Sequence, residues 1–143
     1  GLDSATFAIG PVAGNHPTLT FVNGQLLSGG RASSALTLRN LGTNGSLGSA
    51  TNISGTASFD GPLVQPVWVT LNTGNTSLYA GLSDGSGMVQ IIFDPAGKVI
   101  DTLEIKDKGR TAADQITAMA TSTIAGVTFI FTVSAADLGV SAW

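Results

Sequence analysis

Cysteine is missing from the chain altogether. Its absence excludes thiol catalysis, disulfide bracing and cysteine-ligated metals, and leaves the redox compartment undetermined. Histidine occurs once, at His16 in the loop-like stretch GNHPT, with no acid or nucleophile beside it, so a Ser–His–Asp constellation has no support. Charge is scarce: 10% of residues are Asp, Glu, Lys or Arg, against a usual share of about 25%. Six bases and nine acids give a net charge of -3, and the one basic group, Lys106, Lys108 and Arg110, has Asp107 inside it. Such a surface offers nucleic acid no electrostatic footprint. No apolar stretch approaches the roughly 20 residues needed to span a bilayer. The longest candidate, Thr123 to Val133, is broken by Gly126 and by threonines, so no transmembrane segment is expected. The opening Gly1-Leu2-Asp3 is neither an initiator methionine nor a signal peptide, which implies that a natural start has been removed.

What is present is 43% hydrophobic residue and a surface that must be covered by Ser, Thr, Asn and Gly. Compositions of this kind suit secreted or self-assembling proteins. A chain of 143 residues fits one domain and buries roughly 68% of its unfolded surface.

Internal similarity organises the chain. Laid over one another without a gap, QLLSGGRASSALTLRNLGTNGSLGSATNI from Gln25 and SLYAGLSDGSGMVQIIFDPAGKVIDTLEI from Ser77 bring Leu26 onto Leu78, Gly29 onto Gly81, Gly45 onto Gly97 and Ile53 onto Ile105, each 52 residues apart. The same shift carries Leu78-Tyr79 onto Ile130-Phe131 and Met88 onto Val140. Val, Ile, Thr and aromatic runs alternate with joints of Gly, Asn, Asp and Pro, the pattern of short strands and tight turns. The first unit predicts strands over Thr18–Val22, Gln25–Ser28, Ser34–Leu38 and Leu47–Ile53. The second predicts Pro66–Asn72, Ser77–Ser83, Met88–Phe93 and Lys98–Ile105. The third predicts Gln115–Thr123 and Val127–Ser134 and breaks off in LGVSAW, with GRTAADQITAMA open to a short helix instead. The expected fold is all-β: one domain with an extended segment over 1–14, antiparallel four-stranded blade-like units over 15–56 and 66–106, and an incomplete unit over 115–143. A partial propeller or propeller-like sheet assembly is the first reading, with a β-sandwich as the alternative.

The segments TSLYAGLSDGSGMVQIIFDPAGKVIDTLEI and GVTFIFTVSAADLGVSAW resemble the β-propeller-like blades of secreted bacterial RTX proteins, which carry hemolysin-type calcium-binding repeats. The resemblance implies secretion or an extracellular surface. The Gly-Gly-x-Gly-x-Asp nonapeptides that bind calcium in that family are missing here, so calcium binding is not implied with it. Propellers close with about four blades or more. The edge beside Leu138–Trp143 must therefore be continued by further chain or covered by a strand from elsewhere, because an apolar edge left open aggregates. Ala5 to Val12, extended and apolar, is the donor available within the sequence, paired in its own chain or in a neighbour. Ala5, Phe7, Ile9, Val140 and Trp143 are the assembly residues this reading names.

No set of convergent polar residues marks a catalytic centre, and no enzyme activity or cofactor is expected. Asp84 and Asp137, in comparable loops of the second and third units, are the candidate calcium ligands, although Asp in a tight turn ordinarily caps its own backbone. Asp101 and Glu104, three apart on one strand, face opposite ways. Trp68, Tyr79, Phe129, Phe131 and Trp143 are the stacking candidates for a carbohydrate, set against ordinary core packing. Asn44, Asn52 and Asn75 stand in glycosylation sequons that matter only in a eukaryotic host. The expectation is a secreted or surface structural protein that self-assembles with its own copies or adheres through strand edges, as in a filament or coat. The alternative is a carbohydrate- or calcium-binding propeller module.

Overall fold

The computed structural model describes residues 18–22, 24–29, 36–52, 63–82, 85–107, 109 and 111–143. Within them the protein is all-β. The first sheet is formed by β1 (Thr18–Val22), β2 (Gln25–Gly29), β3 (Leu36–Leu41) and β4 (Leu47–Asn52). The second is formed by β5 (Leu63–Thr70), β6 (Thr76–Leu82), β7 (Met88–Phe93) and β8 (Val99–Ile105), and the third by β9 (Ile116–Ile124), β10 (Val127–Ser134) and β11 (Gly139–Ala142). Every sheet is an antiparallel meander in sequence order. Among the described residues there is no closed barrel or ring, and no helix is long and apolar enough to cross a membrane.

The turns follow from their residues. Gly42–Ser46, Leu71–Asn75 and Asp94–Lys98 close with the same two bonds: the first N–H donates to the fifth carbonyl at 2.8 to 2.9 Å, and the fourth N–H to the first carbonyl at 2.9 Å. The fourth residue is glycine each time, at φ near 80°, the left-handed position that ends a three-residue hairpin loop. Between β9 and β10 a two-residue turn, Ala125-Gly126, has positive φ at both positions.

Pairing recurs along the chain. Gln25↔Asn40, Leu27↔Leu38 and Gly29↔Leu36 in the first sheet have counterparts 52 residues on in Ser77↔Ile92, Tyr79↔Gln90 and Gly81↔Met88. Phe131↔Ala142 and Val133↔Val140 stand the same distance beyond Tyr79↔Gln90 and Gly81↔Met88. Some boundaries differ from expectation. The expected start of the third strand at Ser34 lies outside the described residues; β3 is described from Leu36 and runs past its expected end at Leu38 to Leu41, where the Gly42 turn stops it. β5 begins at Leu63, ahead of Pro66, which lies in the register break between Val64 and Val67; a residue without an N–H is tolerated at such a bulge. The stretch open to a helix is a connection ending in β9, with Gln115 at φ 53° turning the chain into the strand.

The second sheet lies between the other two. Leu27 and Leu38 of the first sheet share a core with Leu78, Ala80, Val89, Ile91 and Phe93 of the second, with Trp68 against it. The opposite face of the second sheet, through Met88, Val64 and Tyr79, packs on Ala113, Ile116, Met119 and Trp143. β5, the first strand of its sheet, runs beside both β1 and β9.

Candidate functional site

Alternation on β10 separates two surfaces. Ile130, Thr132 and Ser134 are buried, on the side where Met119 and Trp143 meet the second sheet. Val127, Phe129, Phe131 and Val133 point the other way. Register adds Ala118, Ala120, Ser122 and Ile124 from β9 and Val140 and Ala142 from β11. None of these side chains is charged. Val140 is 68% exposed, Val127 56% and Ile124 55%, while Phe129 and Phe131 lie half-buried with ring centroids 6.4 Å apart. Three strands of this length make a face of roughly 400 Å² from ordinary strand spacing and rise. That is about the size of the largest apolar patch on an ordinary monomer, one that is often functional.

At one end of the third sheet lies a group of carboxylates. Asp107, Asp114 and Asp137 place carboxylate oxygens within 4.8 Å of one another. Asp107 follows β8 and accepts the N–H of Gly109 at 2.9 Å and the hydroxyl of Thr111. Asp114 is held by the connection into β9, which is tied to the β6–β7 loop by Gly87 N–H to the Ala113 carbonyl and Gln115 N–H to the Gly85 carbonyl, both 2.9 Å. Asp137 sits in the β10–β11 turn, its Oδ2 accepting the N–H of Asp114 at 2.9 Å. The Ser134 hydroxyl accepts the N–H of Asp137 at 2.9 Å and donates to the Asp114 carbonyl, with Asp137 Oδ2 3.0 Å away. Three acid oxygens from three segments form the kind of hard-oxygen cluster that suits a calcium ion.

Asp137 thus meets Asp107 and Asp114, two residues to which the sequence reading assigned no ligand role. Asp84, its expected companion, lies outside the described residues, as do Ala5, Phe7, Ile9 and His16. The only sequence signal for the other two is their presence in the connecting stretch DKGRTAAD. Val140 is on the outward face. Trp143 is not: its backbone exchanges bonds with Ile130, and its indole N–H donates to the buried Thr132 hydroxyl at 3.0 Å. Trp68 stacks at a tilt on Phe93, with centroids 5.7 Å apart, and the Tyr79 hydroxyl accepts from Gln90 at 2.8 Å. Of the five aromatics considered for sugar stacking, only Phe129 and Phe131 belong to the outward face. Asp101 is exposed on β8, and Glu104 is 3.8 Å from Lys106.

No family model, curated protein or solved structure matches the chain.

Proposed function

We propose that the chain is a non-enzymatic structural protein, secreted or held at a cell surface, that self-assembles through its β-sheets. In this reading the three meanders are blade-like units of a partial propeller, akin to those of secreted RTX proteins, and association completes what each copy leaves uncovered. The observation that carries it is the uncharged outward face of the third sheet, where Val127, Phe129, Phe131, Val133, Ile124 and Val140 lie together. The low overall charge is consistent with it, because close approach of copies then meets little repulsion.

Sedimentation velocity of the full chain tests the reading. It predicts species whose mass grows with concentration, and a monomer at every concentration would sink it. Deleting Gly1 to Val12 tests the narrower idea that this segment is donated to a neighbour's edge. Loss of the larger species is expected, and their persistence would remove the segment from the interface.

A second reading, a calcium-stabilised module, is favoured by the proximity of Asp107, Asp114 and Asp137. For a site of extracellular strength, calcium at ten times Kd stabilises by about 1.4 kcal/mol, a rise in Tm of several degrees. Asp114→Asn and Asp137→Asn together are expected to abolish that rise. An identical Tm in calcium and in chelator would eliminate the reading.

A further inference from the structure

We propose that the outer edge of β9 pairs antiparallel with the same edge of a second copy of this chain, so that two third sheets join into one six-stranded sheet across a two-fold axis at Thr121. The proposal rests on the self-assembly reading and names the strand through which two copies first join.

Backbone geometry gives β9 an unpaired side. Ile130 and Trp143 exchange N–H to carbonyl bonds at 3.2 and 2.9 Å, so the backbone groups of Ile130 face β11. Those of Phe129 and Phe131, one residue to either side, face β9, because the direction alternates along an antiparallel strand. Their partners Ser122 and Ala120 are thereby bonded to β10, and Met119, Thr121 and Thr123 turn their N–H and carbonyl groups the other way. Among the described residues no strand lies there: the third sheet ends at β9, and residues 111–143 are described without a gap. Ala120 to Ile124 are all exposed, so this stretch is open on both faces as well as along its edge.

The other outer strands of the second and third sheets are protected. β5 carries Pro66 within a register break, β8 carries Asp101 and Glu104 and a register break of its own, and β11 has only four residues. Each of these features discourages strand addition. β9 has none of them from Ala118 to Ile124: its register shift lies before Ala118, and AMATSTI holds neither charge nor proline. An identical strand fits this edge. Thr121 set opposite the partner's Thr121 makes a favourable cross-strand pair. Thr123 then meets the partner's Met119 and Ala120 the partner's Ser122, so the seam brings no charges together. Area also favours a second copy. One outward face of roughly 400 Å² is half of the roughly 800 Å² that each partner gives to a standard interface. A two-fold axis perpendicular to the sheet sets two outward faces side by side on one surface of roughly 800 Å², the size that a further assembly step needs.

The test uses the full chain. Thr121→Pro removes an N–H that points away from β10, so the β9–β10 ladder keeps its bonds. The variant is expected to lose the dimer in sedimentation velocity while holding the parent's Tm; if that Tm falls, charge variants decide. Thr121→Lys and Thr121→Glu serve for this, because residue 121 meets itself across the axis. Each alone is expected to dimerise about fivefold more weakly than the parent, with the loss shrinking in high salt. An equimolar mixture of the two is expected to recover the parent's dimer, since lysine then faces glutamate. Parental dimerisation by each charge variant alone, or a mixture that associates no more tightly than its components, would overturn the edge pairing and leave self-assembly through another surface standing. A parent chain that is monomeric at every concentration would overturn both.

Discussion

Replacing Phe93 with alanine is expected to cost about 3–5 kcal/mol, the range for deleting a buried ring and leaving a cavity. Phe93 is fully buried at the end of β7. It shares the core between the first and second sheets with Leu27, Leu38 and Leu78 and meets Trp68 at 5.7 Å. Collapse of the site is limited, because the Phe93 backbone is paired to Thr76 on one side and to Val99 on the other. The cavity contribution therefore adds to the lost transfer energy. Guanidinium unfolding should show a lower midpoint at an unchanged slope, and a Tm lower by about 10 °C or more. Leu103→Ala, at an exposed position of the neighbouring strand, is the control and should stay within about 0.5 kcal/mol. A Phe93→Ala cost no larger than that of the control would mean that the first sheet does not pack there.

Gly81→Ala is expected to destabilise by about 1–3 kcal/mol through overpacking. The backbone does not demand glycine here, since Gly81 is not among the residues with positive φ. In a strand of ordinary φ, alanine would otherwise be the better residue. The obstacle is Ile116, fully buried at the start of β9: a Cβ on residue 81 would lie 2.5 Å from its Cγ2 and 2.6 Å from its Cβ. The sign of the effect therefore tests the close approach of the second and third sheets. Second-site changes sharpen it. Ile116→Val keeps both offending atoms and should rescue nothing, whereas Ile116→Ala removes Cγ2 and should recover part of the loss as a coupling of about 0.5–3 kcal/mol in a double-mutant cycle. A stabilising Gly81→Ala would show that the sheets stand further apart.

Both predictions depend on neighbours that no stretch of sequence contains. β1, β7 and β10 could be delimited from sequence alone, at Thr18–Val22, Met88–Phe93 and Val127–Ser134, because runs of Val, Ile, Thr and aromatic residues bounded by Gly, Asn and Asp carry their own signal. Cross-strand pairs 52 residues apart, such as Leu27↔Leu38 and Tyr79↔Gln90, occur in the first two sheets. β3 outran its expected end at Leu38 because Arg39, Asn40 and Leu41 include no Gly or Pro to stop the strand before Gly42. The carboxylate cluster was only one-third legible. Asp137 stood out in its turn, but Asp107 and Asp114 join it through the folding of a connection against two loops, and that convergence has no sequence spacing.

What the sequence determined by itself was local: all-β character, the turns and their glycines, and the order of strands within each meander. Those depend on φ/ψ preference and on side-chain alternation, which act between residues near one another in the chain. Tertiary structure decided which apolar faces are covered. In FIF, Ile130 and the two phenylalanines beside it are equally apolar by pattern. Ile130 is buried toward the second sheet, and Phe129 and Phe131 are left on the outward face. Burial is a property of what lies opposite in space, and hydrophobic free energy follows the area that neighbour removes from water.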